Sequence, residues 1–142
     1  MYKNILLPLD LNNLAAQEKA YKTAIKFAQQ MGAKLHVHSV VPSMGVGMVS
    51  SYFPEGFHEK AVEKTKELLL AFVKEHVPDG IEVSESVGEG SIYRSILQAA
   101  EAKGSDMIVM ASHHPELSDY LIGPNAAYVV RHSDCSVFVV RD

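Results

Sequence analysis

The chain reads as an open α/β sheet of five parallel strands, and three observations predict it. Short apolar runs alternate with helical patterns along the whole chain. Five such runs are separated by four such helices. No Asn-Gly turn joins two of the runs as a hairpin would. Parallel strands connected by helical crossovers follow from that alternation.

"NILLPL", Asn4 to Leu9, is a buried strand ended by Pro8 and Asp10. Tyr21, Ala24, Ile25, Ala28 and Met31 then recur at helical spacing, and Gly32 supplies the stop. "KLHVHSVV", Lys34 to Val41, is a second strand closed by Pro42. The stretch from Met44 to Phe57 is rich in Gly, Ser, Pro and Met; its apolar content suits a cover over a site or interface, and a plain surface connection equally. Ala61, Val62, Leu68, Leu69, Phe72 and Val73 mark a second long helix. "IEVSESV", Ile81 to Val87, alternates as a third strand, and "GEGS" from Gly88 to Ser91 reads as a tight turn into a helix that ends at Gly104. "DMIVMAS" is a fourth strand, "NAAYVVRH" a short fourth helix and "SVFVVR" a fifth strand. Periodicity does not order the strands.

Composition narrows the function. A chain of 142 residues, 47% of them hydrophobic, suits one domain over 1–142 that buries roughly 70% of its unfolded surface. Thirteen basic and 17 acidic residues give a formal charge of -4, which offers no field for a nucleic-acid backbone. The one cysteine, Cys135, forms no internal disulfide or Cys-pair zinc site. "MYKNILLPLD" is no signal peptide, and no run reaches membrane-spanning length. A cytoplasmic protein without membrane insertion is the expectation.

In open α/β sheets ligands bind beyond the carboxyl ends of the strands. Gly123 followed by Pro124 is a helix start: proline disfavours helical geometry in the residue before it and suits the first helical position. The amides of Asn125 and Ala126 would then face an anion, with Ser112 and His113 at the adjacent strand end. Taken alone, the three residues Gly-Pro-Asn favour an ordinary helix start over an anion site. Asp10 either accepts hydrogen bonds from a ribose or an adenine amino group, or caps the turn into the first helix. No GxxxxGK[ST], three-glycine dinucleotide fingerprint, GxSxG or HExxH occurs, so nothing supports nucleophilic catalysis or a Walker-type phosphate loop. His113 and His114 are adjacent on an extended segment and point to opposite sides, which argues against a protein-only metal site with Glu116 or Asp119. A Mg²⁺ held mainly by bound phosphates needs few protein ligands. His36 and His38 share one face of the second strand, where packing or an interface is the default.

"NILLPLDLNN", "LHVHSVVPS", "VGEGSIYRSIL" and above all "IVMASHHPELSDYLIGPNAAYVVRHSDCSVFVVR" resemble the universal stress protein superfamily over essentially the whole chain, the last stretch being most similar to its nucleotide-binding F/G branch. The resemblance implies a Rossmann-like, flavodoxin-like sheet in the order 3-2-1-4-5 and a homodimer built through the fifth strand. It further implies ATP, ADP or AMP at the switch between strands one and four. Carried over, Pro8, Leu9 and Asp10 would meet the adenosine, the backbone of Val40 the adenine, and Met110 and Ala111 would line the pocket. His113, His114, Gly123, Pro124, Asn125 and Ala126 fall where the family cradles ribose and phosphates. Ala111 and His114 replace the two glycines of the family's phosphate pattern, the spacer to Gly123 is one residue shorter, and Pro124 replaces Ser or Thr, removing a hydroxyl and an amide. The resemblance thus implies adenosine recognition ahead of triphosphate recognition, in a non-enzymatic regulatory protein acting on an unknown protein partner. The alternative is a universal stress protein with a degenerate site that works through protein contacts alone, and a third reading is slow ATP hydrolysis.

Overall fold

The computed structural model describes residues 1–41, 56–112 and 123–141. Five strands, β1 (Asn4–Pro8), β2 (Lys34–Val41), β3 (Val83–Glu89), β4 (Met107–Ala111) and β5 (Ser136–Val140), form one sheet in the order β3-β2-β1-β4-β5. Every adjacent pair is parallel. Four helices, α1 (Glu18–Met31), α2 (Phe57–His76), α3 (Ile92–Lys103) and α4 (Pro124–His132), connect them.

The alternation along β1 explains how both faces are covered. Ile5 and Leu7 point into one layer with Tyr21 and Ala24 of α1 and Leu69 and Phe72 of α2. Leu6 points into the other layer, against Ile96 of α3, Val129 of α4 and Ile108 of β4. Successive strand residues face opposite sides, so a strand apolar at every position is one buried on both faces. Each of Ile5, Leu6 and Leu7 is almost fully buried, a gain of roughly 1.5–3 kcal/mol per side chain. Asp106 fixes the start of β4 beside β1: its carboxylate oxygens accept from the amides of Lys3 and Asn4 at 2.9 and 3.0 Å, and its own amide donates to the Asn4 carbonyl.

Helix α1 ends at Gly32, whose φ of +64° is left-handed and whose amide donates to the Ala28 carbonyl. The structure moves three boundaries. Strand β3 begins at Val83, because the Asp79-Gly80 turn, with Gly80 at φ +99°, still occupies the chain before it, and it runs to Glu89. Gly88 is therefore a ladder residue opposite Val40, and the turn is made at Gly90, with φ +90°. Helix α2 starts at Phe57, four residues before the apolar pattern becomes periodic at Ala61, so the only part of the Met44 to Phe57 stretch within the described residues is its end. A 3₁₀ turn, Leu14–Gln17, precedes α1; it carries no apolar periodicity and is held by side-chain bonds from Gln17.

Candidate functional site

The carboxyl ends of β1 and β4 diverge toward helices on opposite faces of the sheet, and a cavity of about 330 Å³ opens there. Pro8, Leu9, Asp10 and Val40 form one wall. Met110, Ala111, Gly123, Pro124, Asn125 and Ala126 form the other. These are ten of the twelve residues expected from the sequence. His113 and His114 lie outside the described residues.

Each wall is fixed by backbone bonds. The Leu9 amide donates to the His38 carbonyl at 2.8 Å, and Ser39 Oγ donates to the Leu9 carbonyl at 2.8 Å, so β1 and β2 stay registered past the last ladder pair. On the other side Ser112 donates from its amide and its hydroxyl to the Val140 carbonyl, and the Gly123 amide donates to the Ser112 carbonyl at 3.0 Å. That bond brings the start of α4 to the end of β4. Gly123 has φ -58° and ψ 153°, extended geometry that does not demand glycine, and Pro124 occupies the first helical position. The amides of Asn125 and Ala126 belong to the first turn, where N–H groups project from the helix end and the dipole is positive.

The Asp10 turn is held by side-chain hydrogen bonds. Asp10 Oδ1 accepts from the Asn12 amide at 3.0 Å, which is the capping role. Its main chain is clamped by Gln17, whose Oε1 accepts from the Asp10 amide at 2.9 Å and whose Nε2 donates to the carbonyls of Asp10 and Asn13 at 2.7 and 2.8 Å. The carboxylate remains exposed at the cavity rim. Among the described lining residues Asp10 is the one Asp, Glu, Lys or Arg.

Sequence reasoning missed several lining groups: Asn12, Asn13, Ala16 and Gln17 from the turn after β1, Ile92 and Ile96 from α3, and His38 from β2; Ser112, expected at the strand end, also lines the cavity. Gln17 leaves no signal, because its function is to bond a turn whose shape only the fold reveals. The sequence places His38 at packing or an interface, and it is buried, 4% exposed. Its lining role follows once β2 is known to stand beside β1, since Pro8 and His38 are register partners. Burial pushes the imidazole of His38 down to about 4, and burial, then the nearby Lys103 charge and then His38, does the same to His36. Both rings are neutral near pH 7. Among the described residues no three His, Cys, Asp or Glu side chains converge as a metal site.

The sequence model for the universal stress protein family matches residues 1–141. The chain belongs to the universal stress protein family. It is 30% identical over 143 residues to universal stress protein G of Escherichia coli O157:H7, covering 99% of this chain and 100% of that one. Among solved structures, this universal stress protein is similar to hypothetical protein MJ0577, with a TM-score of 0.81 and 26% identity over 100% of this chain and 97% of that one. A universal stress protein solved in complex with cAMP shares the fold, with a TM-score of 0.62 and 18% identity over 99% of this chain and 97% of the other. No described helix of this family member is long and apolar enough to cross a membrane.

Proposed function

We propose that this universal stress protein binds an adenine nucleotide, ATP, ADP or AMP, in the cavity between β1 and β4 and uses it as a regulatory ligand. One observation carries the reading: the α4 N-terminus faces Asp10 and the end of β2 across a cavity at the sheet's switch point. The Val40 main chain and the Asp10 carboxylate would hold the adenosine, and the amides of Asn125 and Ala126 would hold phosphate. His113 and His114 remain candidates for the phosphate side. Mg²⁺ would be held by the phosphates, as no described residue besides Asp10 lends the cavity a carboxylate. A member of the family whose fold is the same holds cAMP, which supports a cyclic or linear adenine nucleotide as the ligand class.

The protein is read as non-enzymatic, since the described cavity offers no ionised base besides Asp10; a turnover assay on the parent and His113→Ala protein tests slow hydrolysis. A cytoplasmic homodimer pairing through the exposed edge of β5, where Phe138 is 43% exposed, is the proposed form, with a protein partner as its output. The test of the main reading is thermal unfolding of nucleotide-stripped protein with ATP and with AMP. Ligand at a hundred times its Kd stabilises by about 2.7 kcal/mol and raises the midpoint by roughly 8 °C. No shift with either nucleotide overturns it. A second reading, a degenerate site acting through protein contacts alone, is favoured by the missing amide at Pro124 and the lack of a described lysine or arginine in the lining. Equal shifts with AMP and ATP would confine recognition to the adenosine.

A further inference from the structure

A line of polar side chains crosses the apolar layer between the sheet and α3. Ser84 Oγ lies 2.6 Å from His36 Nδ1, and His36 Nε2 lies 2.7 Å from Ser86 Oγ. Ser86 Oγ in turn lies 2.7 Å from His38 Nδ1, and His38 Nε2 lies 2.8 Å from Ser95 Oγ. The line begins on the surface, where Ser84 is exposed on the edge strand β3. It ends at buried Ser95 on α3, one residue before the cavity-lining Ile96, and His38 is itself part of the cavity wall.

Hydrogen counting limits how this line can be protonated. A neutral imidazole has one donor and one acceptor nitrogen, and a hydroxyl has one hydrogen. Ser86 faces a ring nitrogen on each side, so it must donate to one and accept from the other. When His36 carries its proton on Nε2 it donates to Ser86; Ser86 donates to His38 Nδ1, and His38 carries its proton on Nε2. When His36 carries it on Nδ1, every bond reverses and His38 carries its proton on Nδ1. Only like tautomers leave every buried group paired, and an unpaired buried donor is costly. The backbone makes room for this arrangement: a Cβ on Gly88 would lie 1.8 Å from Ser95 Oγ and 2.9 Å from His38 Nε2.

We propose that Ser84, His36, Ser86, His38 and Ser95 form a tautomeric relay that ties hydrogen-bond polarity at the cavity wall to the exposed edge of β3. The two polarities have opposite dipoles. With both protons on Nε2 the donors point from Ser84 toward Ser95 and the cavity, the direction an anion there favours. Ser84 then donates inward and shows only its oxygen to the outside. With both protons on Nδ1, Ser84 accepts from His36 and turns its hydroxyl hydrogen outward. The sheet edge thus changes from acceptor to donor according to the charge in the cavity. Neutral rings are a requirement of this device, and the depressed imidazole pKa values meet it. The response to an anion rests on the nucleotide reading; the coupling of the two rings does not.

Histidine-ring ¹⁵N spectra, which separate a protonated from a bare ring nitrogen, test the relay on the intact chain. The expected result is the same tautomer at His36 and His38 in the parent protein. Ser95→Ala removes the partner of His38 Nε2 and is expected to leave both rings protonated on Nδ1. Ser86→Ala breaks the line and is expected to give unlike tautomers, Nδ1 at His36 and Nε2 at His38. Unlike tautomers in the parent, or Ser95→Ala protein in which His36 holds its proton on Nε2 while His38 does not, overturn the relay. In a titration with ATP, followed independently at the amides of Gly123 and Ala126, both rings are expected to move together toward Nε2–H. Shifted amides with unmoved rings overturn the transmission. Unmoved amides and unmoved rings overturn the nucleotide reading instead and leave the relay to the serine variants, which need no ligand.

Discussion

Gly88→Ala is the substitution whose sign separates two explanations of β3. Gly88 is an interior ladder residue with ordinary negative φ, so backbone entropy alone predicts that alanine stabilises the strand by about 0.5–1 kcal/mol. The surroundings predict the reverse. The new methyl would sit 1.8 Å from Ser95 Oγ and 2.9 to 3.0 Å from the His38 ring. Ser95 can rotate its hydroxyl away only by abandoning its 2.8 Å bond to His38 Nε2, leaving a buried ring nitrogen unpaired. Overpacking costs about 1–3 kcal/mol and the orphaned polar group a further 1–3 kcal/mol, so the expected loss is about 3 kcal/mol. For a domain near this size that lowers the thermal midpoint by roughly 10 °C. The assay is urea denaturation of four proteins: parent, Gly88→Ala, Ser95→Ala and the double variant. Ser95→Ala removes the atom at 1.8 Å, so adding Gly88→Ala to it should cost at least about 1 kcal/mol less than adding it to the parent. Equal costs in both backgrounds, or a Gly88→Ala protein as stable as the parent, would refute the reasoning.

His36 and His38 titrate near 4 when folded and near 6.5 when unfolded, so the folded state binds fewer protons; their stabilisation is complete above pH 6.5 and is lost as pH falls toward 4. A displacement of that size corresponds to about 3 kcal/mol for each ring, so His38→Gln should remove roughly half of the pH dependence of urea midpoints over that window. Gln17→Ala removes three hydrogen bonds around Asp10 and should cost about 1–2 kcal/mol while weakening nucleotide binding measured by calorimetry. Gly123→Val suits the extended φ and ψ there, so far-ultraviolet circular dichroism should be unchanged while any ATP-induced midpoint shift disappears. Phe138→Asp places a charge on the exposed strand β5 and should give a monomer in sedimentation experiments.

The elements were legible because their apolar residues fall on periods that burial enforces. Ile5, Leu6 and Leu7 form an unbroken run because β1 is covered on both sides, and Ala20, Ala24 and Ala28 recur because one face of α1 meets the sheet. Strand order leaves no trace in periodicity; it came from the resemblance, and the order β3-β2-β1-β4-β5 agrees with it. The edges were misplaced where polar residues do structural work. Glycine at 88 looked like a turn because glycine usually is one, whereas here it makes space for Ser95 across a distance of seven residues in sequence and one helix in space. The candidate site divides in the same way. Gly123-Pro124 is readable as a helix start from local stereochemistry. The part played by Gln17 depends on how the turn after β1 folds back on itself, and that of His38 on which strand lies beside it.

The position of β1 has a consequence for how the protein is made. It is synthesised before the other four strands and is the central strand of the finished sheet, paired on one side with β2 and on the other with β4. During translation β1, β2 and β3 emerge long before Met107, so β1 has its β2 partner available while the flank that β4 occupies in the finished sheet has none. Asp106, which seals that flank by taking the amides of Lys3 and Asn4, arrives about a hundred residues after them. An open strand flank beside the apolar run Ile5 to Leu7 is a template for another chain. Nascent copies on neighbouring ribosomes are therefore at their greatest risk of intermolecular pairing in the interval before β4 emerges, and a chaperone that shields Ile5 to Leu7 during that interval would raise the yield of folded protein more than one acting later.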